Sequence, residues 1–131
     1  MKKRAVIPAE FKTGAENLKM SPGILSGHYL FLNGVTGSDL EGLMPLREEE
    51  QFRHAFKKIG AVLKEAGLGF EAMVEMTTYH VGLRDHFELF DKVRLDYLTA
   101  PFPAWTAVEV AGLRREGAVV EIRAIAAAEN S

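Results

Sequence analysis

Residues 103–126 read PAWTAVEVAGLRREGAVVEIRAIA. Two runs of β-forming side chains, about 104–113 and 118–128, flank the turn residues Arg115, Glu116 and Gly117. With so short a connection the simplest pairing is an antiparallel hairpin. The chain's one tryptophan, Trp105, opens the first run just after Pro101 and Pro103, where a turn hands over to a strand. Glu121 stands inside the second, among apolar neighbours. A carboxylate rarely stays in such company unpaired, so it is either bridged, to Arg123 or to another subunit, or kept for chemistry.

Upstream of the two prolines, which stop any helix, Phe87, Phe90, Val93 and Tyr97 fall at helical spacing. Asp85 and Glu88 have the spacing of a capping box, so a helix is predicted from about residue 85. Before it, residues 72–83 interleave Met73, Glu75, Thr77 and Tyr79 with Val74, Met76, Thr78 and His80. That alternation predicts a strand with a partly covered second face. Between Pro45 and Ala66, Phe52, Phe56, Ile59, Leu63 and Ala66 make one apolar stripe. Three glutamates at 48–50 and lysines 57, 58 and 64 complement the dipole of this long helix, and Gly67 ends it.

Further toward the N-terminus, YLFLNGV at 29–35 predicts a strand buried on both faces after a turn at Gly27 and His28. Residues 9–23 lack a strong period and read as loop, with a short strand near Lys19 at most; Ala5–Ile7 predict an edge strand ended by Pro8. The resulting order is strand, strand, helix, strand, helix, strand, strand. Two amphipathic helices cover one face of a single mixed sheet, an α+β architecture whose other face keeps apolar side chains. A second copy of the chain is the simplest cover for that face.

At 131 residues the chain fits one domain, residues 1–131, and 47% hydrophobic with 26% charged residues is the composition of a folded globular protein. A net charge of −2 offers no broad positive field for phosphates, which argues against nucleic-acid binding. The absence of cysteine excludes disulfides, thiolate metal ligands and cysteine nucleophiles. Pro8, Glu10 and Lys12 interrupt any signal-peptide core, and no apolar run is long enough to span a membrane, so a cytoplasmic location is expected. His28, His54, His80 and His86 have no recognised metal-ligand spacing, and Asn33–Gly37 (NGVTG) is neither a P-loop nor a dinucleotide fingerprint. Serines 21, 26 and 38 lie in turns without a nucleophile elbow, and the basic pairs Lys57–Lys58 and Arg114–Arg115 read as solvated surface.

Four segments together carry a resemblance: SPGILSGHYLFLNG (21–34), QFRHAFKKIGAVLKEAG (51–67), VEMTTYHVGLRDHFELFDKV (74–93) and FPAWTAVEVAGLRREGAVVEIRAIA (102–126). The chain resembles the RidA/YjgF family, also labelled L-PSP endoribonuclease, over residues 21–127. The resemblance implies a chorismate-mutase-like fold and homotrimers whose sheets enclose a barrel, with ligand sites in clefts between subunits. It implies hydrolysis of reactive enamines and imines to keto acids and ammonia, with no metal and no cofactor. Glu121 matches the family glutamate that positions or activates the hydrolytic water, and Gly34 is retained.

Other positions depart from that pattern. Deaminating members have Pro-Ala-Arg where this chain has Pro103, Ala104 and Trp105, and the arginine grips the substrate carboxylate. An indole offers one neutral N–H in place of a charged fork, a loss of about 1.5–3 kcal/mol for a bound acid. Met20 stands where a tyrosine is common and Asn33 where a serine is. The resemblance thus implies a pocket shaped by Met20, Asn33, Gly34, Trp105 and Thr106 around Glu121, and a small-molecule ligand. Two functions follow from it: an imine or enamine hydrolase, or a non-catalytic ligand-binding or regulatory trimer that has lost the reaction.

Overall fold

The computed structural model describes residues 2–128. The long helix expected from the apolar stripe is α2, Glu48–Glu65, and Phe52, Ala55, Phe56, Ile59, Val62 and Leu63 on it are all buried. It closes as a Schellman turn: the N–H of Leu68 donates to the Leu63 carbonyl at 2.8 Å and that of Gly67 to Lys64 at 2.9 Å. The remaining elements are β1 (Lys3–Val6), α1 (Lys12–Leu18), β2 (Gly23–Ser26), β3 (Tyr29–Thr36), β4 (Met73–His80), α3 (Leu83–Arg94), β5 (Ala104–Glu109) and β6 (Val120–Ala127). Single turns of 3-10 helix at Ala9–Phe11 and Phe70–Ala72 lead into α1 and β4.

The six strands form one sheet in the order β1-β2-β3-β6-β4-β5, so the architecture is α+β with a mixed sheet. The hairpin expected for the last two strands is not formed. β6 lies antiparallel between β3 and β4, while β5 lies parallel to β4 at the edge. The reason is α3, which carries the chain back over the sheet so that β5 must run parallel to β4. The ten-residue connection 110–119 then spans β4 and delivers β6 to its far side.

β3 is not buried on both faces either. Leu30 and Leu32 point into the core, whereas Tyr29 and Phe31 are 48% and 44% exposed on the sheet face that no helix covers. Asn33 and Gly34 form a bulge, after which Val35 pairs with Ile122 and Thr36 with Glu121. The segment read as loop contains α1, and the strand suggested near Lys19 is instead the helix end, Lys19 taking the left-handed conformation at φ 56°. In β4 a register shift between Met73 and Glu75 turns Met73 inward with Met76, Thr78 and His80.

The start of α3 corrects the capping-box expectation. Its N-cap is Gly82, not Asp85, and the carboxylate at the end of β5, Glu109, accepts the N–H groups of Gly82 at 3.1 Å and Leu83 at 2.7 Å. These two bonds hold the Glu109 carboxyl below its usual range. The buried side of α3 is His86, Phe90 and Val93; Phe87 is partly exposed, and Tyr97 lies beyond the helix, stacked on Phe56 with centroids 5.0 Å apart. Gln51 fastens the β5–β6 connection to α2. Its amide donates to the carbonyls of Pro45 and Gly117 at 2.8 and 2.9 Å and accepts from the Val119 N–H at 2.9 Å.

Candidate functional site

Trp105 belongs to the helix-covered layer. Its ring lies parallel to Phe87 with centroids 5.6 Å apart and touches Phe90, and the Arg94 guanidinium sits 4.5 Å from its centre. Arg94 is itself held by Asp91 at 2.7 Å. The indole N–H donates to Thr78 Oγ1 at 2.9 Å. From Thr78 a buried chain continues to His80 Nε2 at 2.7 Å, from His80 Nδ1 to His86 Nε2 at 3.0 Å, and from His86 Nδ1 to Glu48 at 3.1 Å. His80 is fully buried, and that burial, reinforced by His86, lowers its pKa to about 4. This explains an aromatic residue at the start of a strand: Trp105 seals the core and satisfies a buried polar chain.

Glu121 occupies the opposite face. Across the uncovered sheet its row runs Thr36, Glu121, Tyr79, Val108, and the adjacent row runs Arg123, Thr77, Thr106. The carboxylate lies against Gly34, where a Cβ would collide with it. Among the described residues Glu121 has no side-chain hydrogen bond and no ion pair, so the bridge to Arg123 is not formed. Glu121, Gly34 and Thr106 therefore share the uncovered face, while Trp105 points away from it. One subunit does not gather the six expected site residues into one pocket.

Met20 and Asn33 meet elsewhere. The Asn33 amide reaches the Met20 sulfur at 3.8 Å, and both line a cavity of about 410 Å³ between α1, α2 and the β3 bulge. Lys58 reaches the same cavity. Its ammonium donates to the Thr36 carbonyl at 2.9 Å and to Ser38 Oγ at 2.8 Å, and burial lowers its pKa to about 8. This corrects the expectation of a solvated Lys57–Lys58 pair. The signal was present, because Gln51, Ala55, Lys58 and Val62 form a second inward row beside the apolar stripe. Arg115, read as surface too, bonds to Ser38 Oγ at 3.3 Å and to the Gly42 carbonyl at 2.6 Å. Among the described residues no three His, Asp or Glu side chains gather as a metal site, and no helix is long and apolar enough to cross a membrane.

Residues 15–128 match the family described as Endoribonuclease L-PSP. The chain is 33% identical over 127 residues to the RutC family protein YjgH of Escherichia coli K12, covering 96% of this chain and 95% of that protein. It is 33% identical over 108 residues to the 2-iminobutanoate/2-iminopropanoate deaminase of Bos taurus, covering 81% and 77%. Among solved structures, protein YJGH superposes with a TM-score of 0.90 at 31% identity over the whole of both chains. RidA from an Antarctic Psychrobacter superposes with a TM-score of 0.77 at 29% identity over 82% of this chain and 86% of that one. Fold and sequence agree: the chain belongs to the Endoribonuclease L-PSP family, the RidA/YjgF proteins.

Proposed function

We propose that the protein hydrolyses a small reactive imine or enamine to a carbonyl product and ammonia, at a cleft completed by further copies of the chain in a homotrimer. The observation that carries this reading is the Glu121 carboxylate, laid against Gly34 on the uncovered sheet face with no hydrogen-bond or ion-pair partner among the described residues. Similarity to a 2-iminobutanoate/2-iminopropanoate deaminase supports the reaction class.

The chemistry asks little of the protein. An enamine tautomerises to an imine, whose carbon is already electrophilic once the nitrogen is protonated. Glu121 takes a proton from water as the C–O bond forms and the C=N π pair moves to nitrogen. It then returns the proton to nitrogen, the C–N bond breaks as the hydroxyl O–H pair becomes the C=O π bond, and the hydroxyl proton passes through Glu121 to the departing ammonia. Positioning and proton transfer suffice.

Ammonia release from enzymatically generated 2-iminobutanoate tests this. The native chain is expected to turn over, and Glu121→Gln to lose roughly 100-fold or more while staying folded. Equal rates in both would remove Glu121 from the mechanism.

A second reading, a ligand-binding trimer without turnover, is favoured by the placement of Trp105. Fixed in the helix layer by Thr78, Phe87 and Arg94, it cannot take the part of a carboxylate clamp. A metabolite that raises the melting temperature without being consumed would select this reading.

A further inference from the structure

Lys58 from α2 and Arg115 from the β5–β6 connection converge on one buried hydroxyl, that of Ser38, which is 4% exposed. Their other bonds go to neutral carbonyls, of Thr36 and Gly42. Among the described residues neither cation is within ion-pair distance of a carboxylate. Asp39 is adjacent, but one of its oxygens accepts the N–H groups of Glu41 and Leu43, both at 2.9 Å. Lys58 and Arg115, both partly buried, bring two positive charges to one hydroxyl against the single adjacent carboxylate of Asp39, an excess that a bound anion would balance. Burial and the Arg115 charge disfavour the Lys58 ammonium more than the Asp39 charge favours it, and a bound carboxylate would add to the Asp39 effect.

The space beside Lys58 has the form of a ligand pocket. Two cavities, of about 320 and 410 Å³, share Glu10, Phe11, Leu40 and Lys58 in their walls. The smaller continues to His54 and Lys57, and the larger along Val62 to Asn33 and Met20. Mostly apolar walls with a few placed polar groups suit a short organic acid.

We propose that this pocket binds a small monocarboxylate with a short apolar tail, its carboxylate accepting from Lys58 Nζ and its tail lying against Phe11, Leu40 and Val62. Arg115, behind Ser38, adds positive potential without entering the cavity wall. The pocket supplies an acid-binding group that position 105 does not. It rests on the proposed imine chemistry only for the natural acid's identity and needs neither Glu121 nor a second copy.

Titration of the full chain with butanoate, 2-oxobutanoate and the neutral isostere butanamide, followed by amide NMR and calorimetry, tests this. Both acids are expected to bind saturably at millimolar concentration and to shift amides around Lys58, Leu40 and Asn33, with butanamide at least roughly tenfold weaker. Lys58→Met is expected to lose a similar factor. Leu40→Asp, a change at an exposed position, should weaken the acids by charge repulsion together with the lost tail contact and covers the case in which Lys58→Met fails to fold. Equal binding of butanamide, undiminished binding in a folded Lys58→Met or in Leu40→Asp, or no saturable shift with either acid would overturn the pocket. Glu121→Gln is expected to bind both acids like the native chain, so lost binding with turnover intact rejects the pocket alone. Turnover unaffected by Glu121→Gln rejects the reaction alone.

Discussion

His80 and His86 share a 3.0 Å hydrogen bond inside the core, and the groups at either end fix its direction. The Glu48 carboxylate can only accept, so His86 Nδ1 donates to it, and in a neutral His86 ring Nε2 accepts from His80 Nδ1. His80 Nε2 must then accept from the Thr78 hydroxyl, whose oxygen accepts the Trp105 N–H. With both imidazoles neutral every donor and acceptor is used once.

Acid therefore attacks the fold at His80. Its folded pKa of about 4 lies below the ordinary histidine value of 6.5, so between those values the unfolded chain binds more protons than the folded one. Stability is fully present above about pH 6.5 and falls as pH drops toward 4, by about 3 kcal/mol in total. Urea unfolding at intervals across this range should show that slope, and His80→Asn should flatten it. A native slope unchanged in the variant would assign the acid sensitivity to other groups.

Glu109 adds to the same trend through α3. Its carboxyl is held low by the N–H groups of Gly82 and Leu83, so its stabilising effect is present at neutral pH and is lost as pH falls through the depressed value. Glu109→Ala should lower the melting temperature at pH 7 and have a smaller effect in strong acid. An equal effect at both would show that the cap does not depend on charge.

Gly34→Ala separates folding from chemistry. The added methyl meets the flexible Glu121 side chain, its carboxylate end first, which can swing aside, so the expected loss of stability is about 1 kcal/mol, the low end for overpacking. The displaced carboxylate should nonetheless cost turnover on the scale of Glu121→Gln. A variant as active as the native chain would mean that the contact has no bearing on the reaction.

Gln51→Leu removes the clamp between α2 and the β5–β6 connection. It leaves the Pro45 and Gly117 carbonyls and the Val119 N–H without this partner, for an expected loss of about 3 kcal/mol. A midpoint shift in denaturant at unchanged m-value would confirm it.

Tyr29 and Phe31 on the uncovered face predict self-association. Light scattering after size exclusion should give three times the chain mass for the native protein. Phe31→Glu should yield a smaller species with unchanged circular dichroism. A native monomer at micromolar concentration would contradict the proposed trimer.

What the sequence made legible was mainly what is local. The stripe Phe52, Phe56, Ile59, Leu63 defines α2 because helical periodicity is a property of neighbours in the chain. Pairing is not local: nothing in 104–128 says that β6 leaves β5 and crosses β4, since that choice is made by α3 folding back over the sheet. The same limit applied to the candidate site. Glu121 and Gly34 did come together, but Trp105 and Thr106 proved to lie on opposite faces, as alternation along β5 requires. The sequence pair Lys57–Lys58 reads as one surface unit, yet a turn of 100° separates adjacent helical residues, so Lys57 is exposed while Lys58 turns inward.

The place of β6 between β3 and β4 also bears on synthesis. A ribosome delivers β6 after every other strand, yet it is the seam joining a β1-β2-β3 half to a β4-β5 half. Until it emerges, β3 and β4 present open edges able to pair with other nascent chains. The domain is thus assembled by its final segment, after translation of the rest, and a pause before residue 120 leaves two unjoined half-sheets.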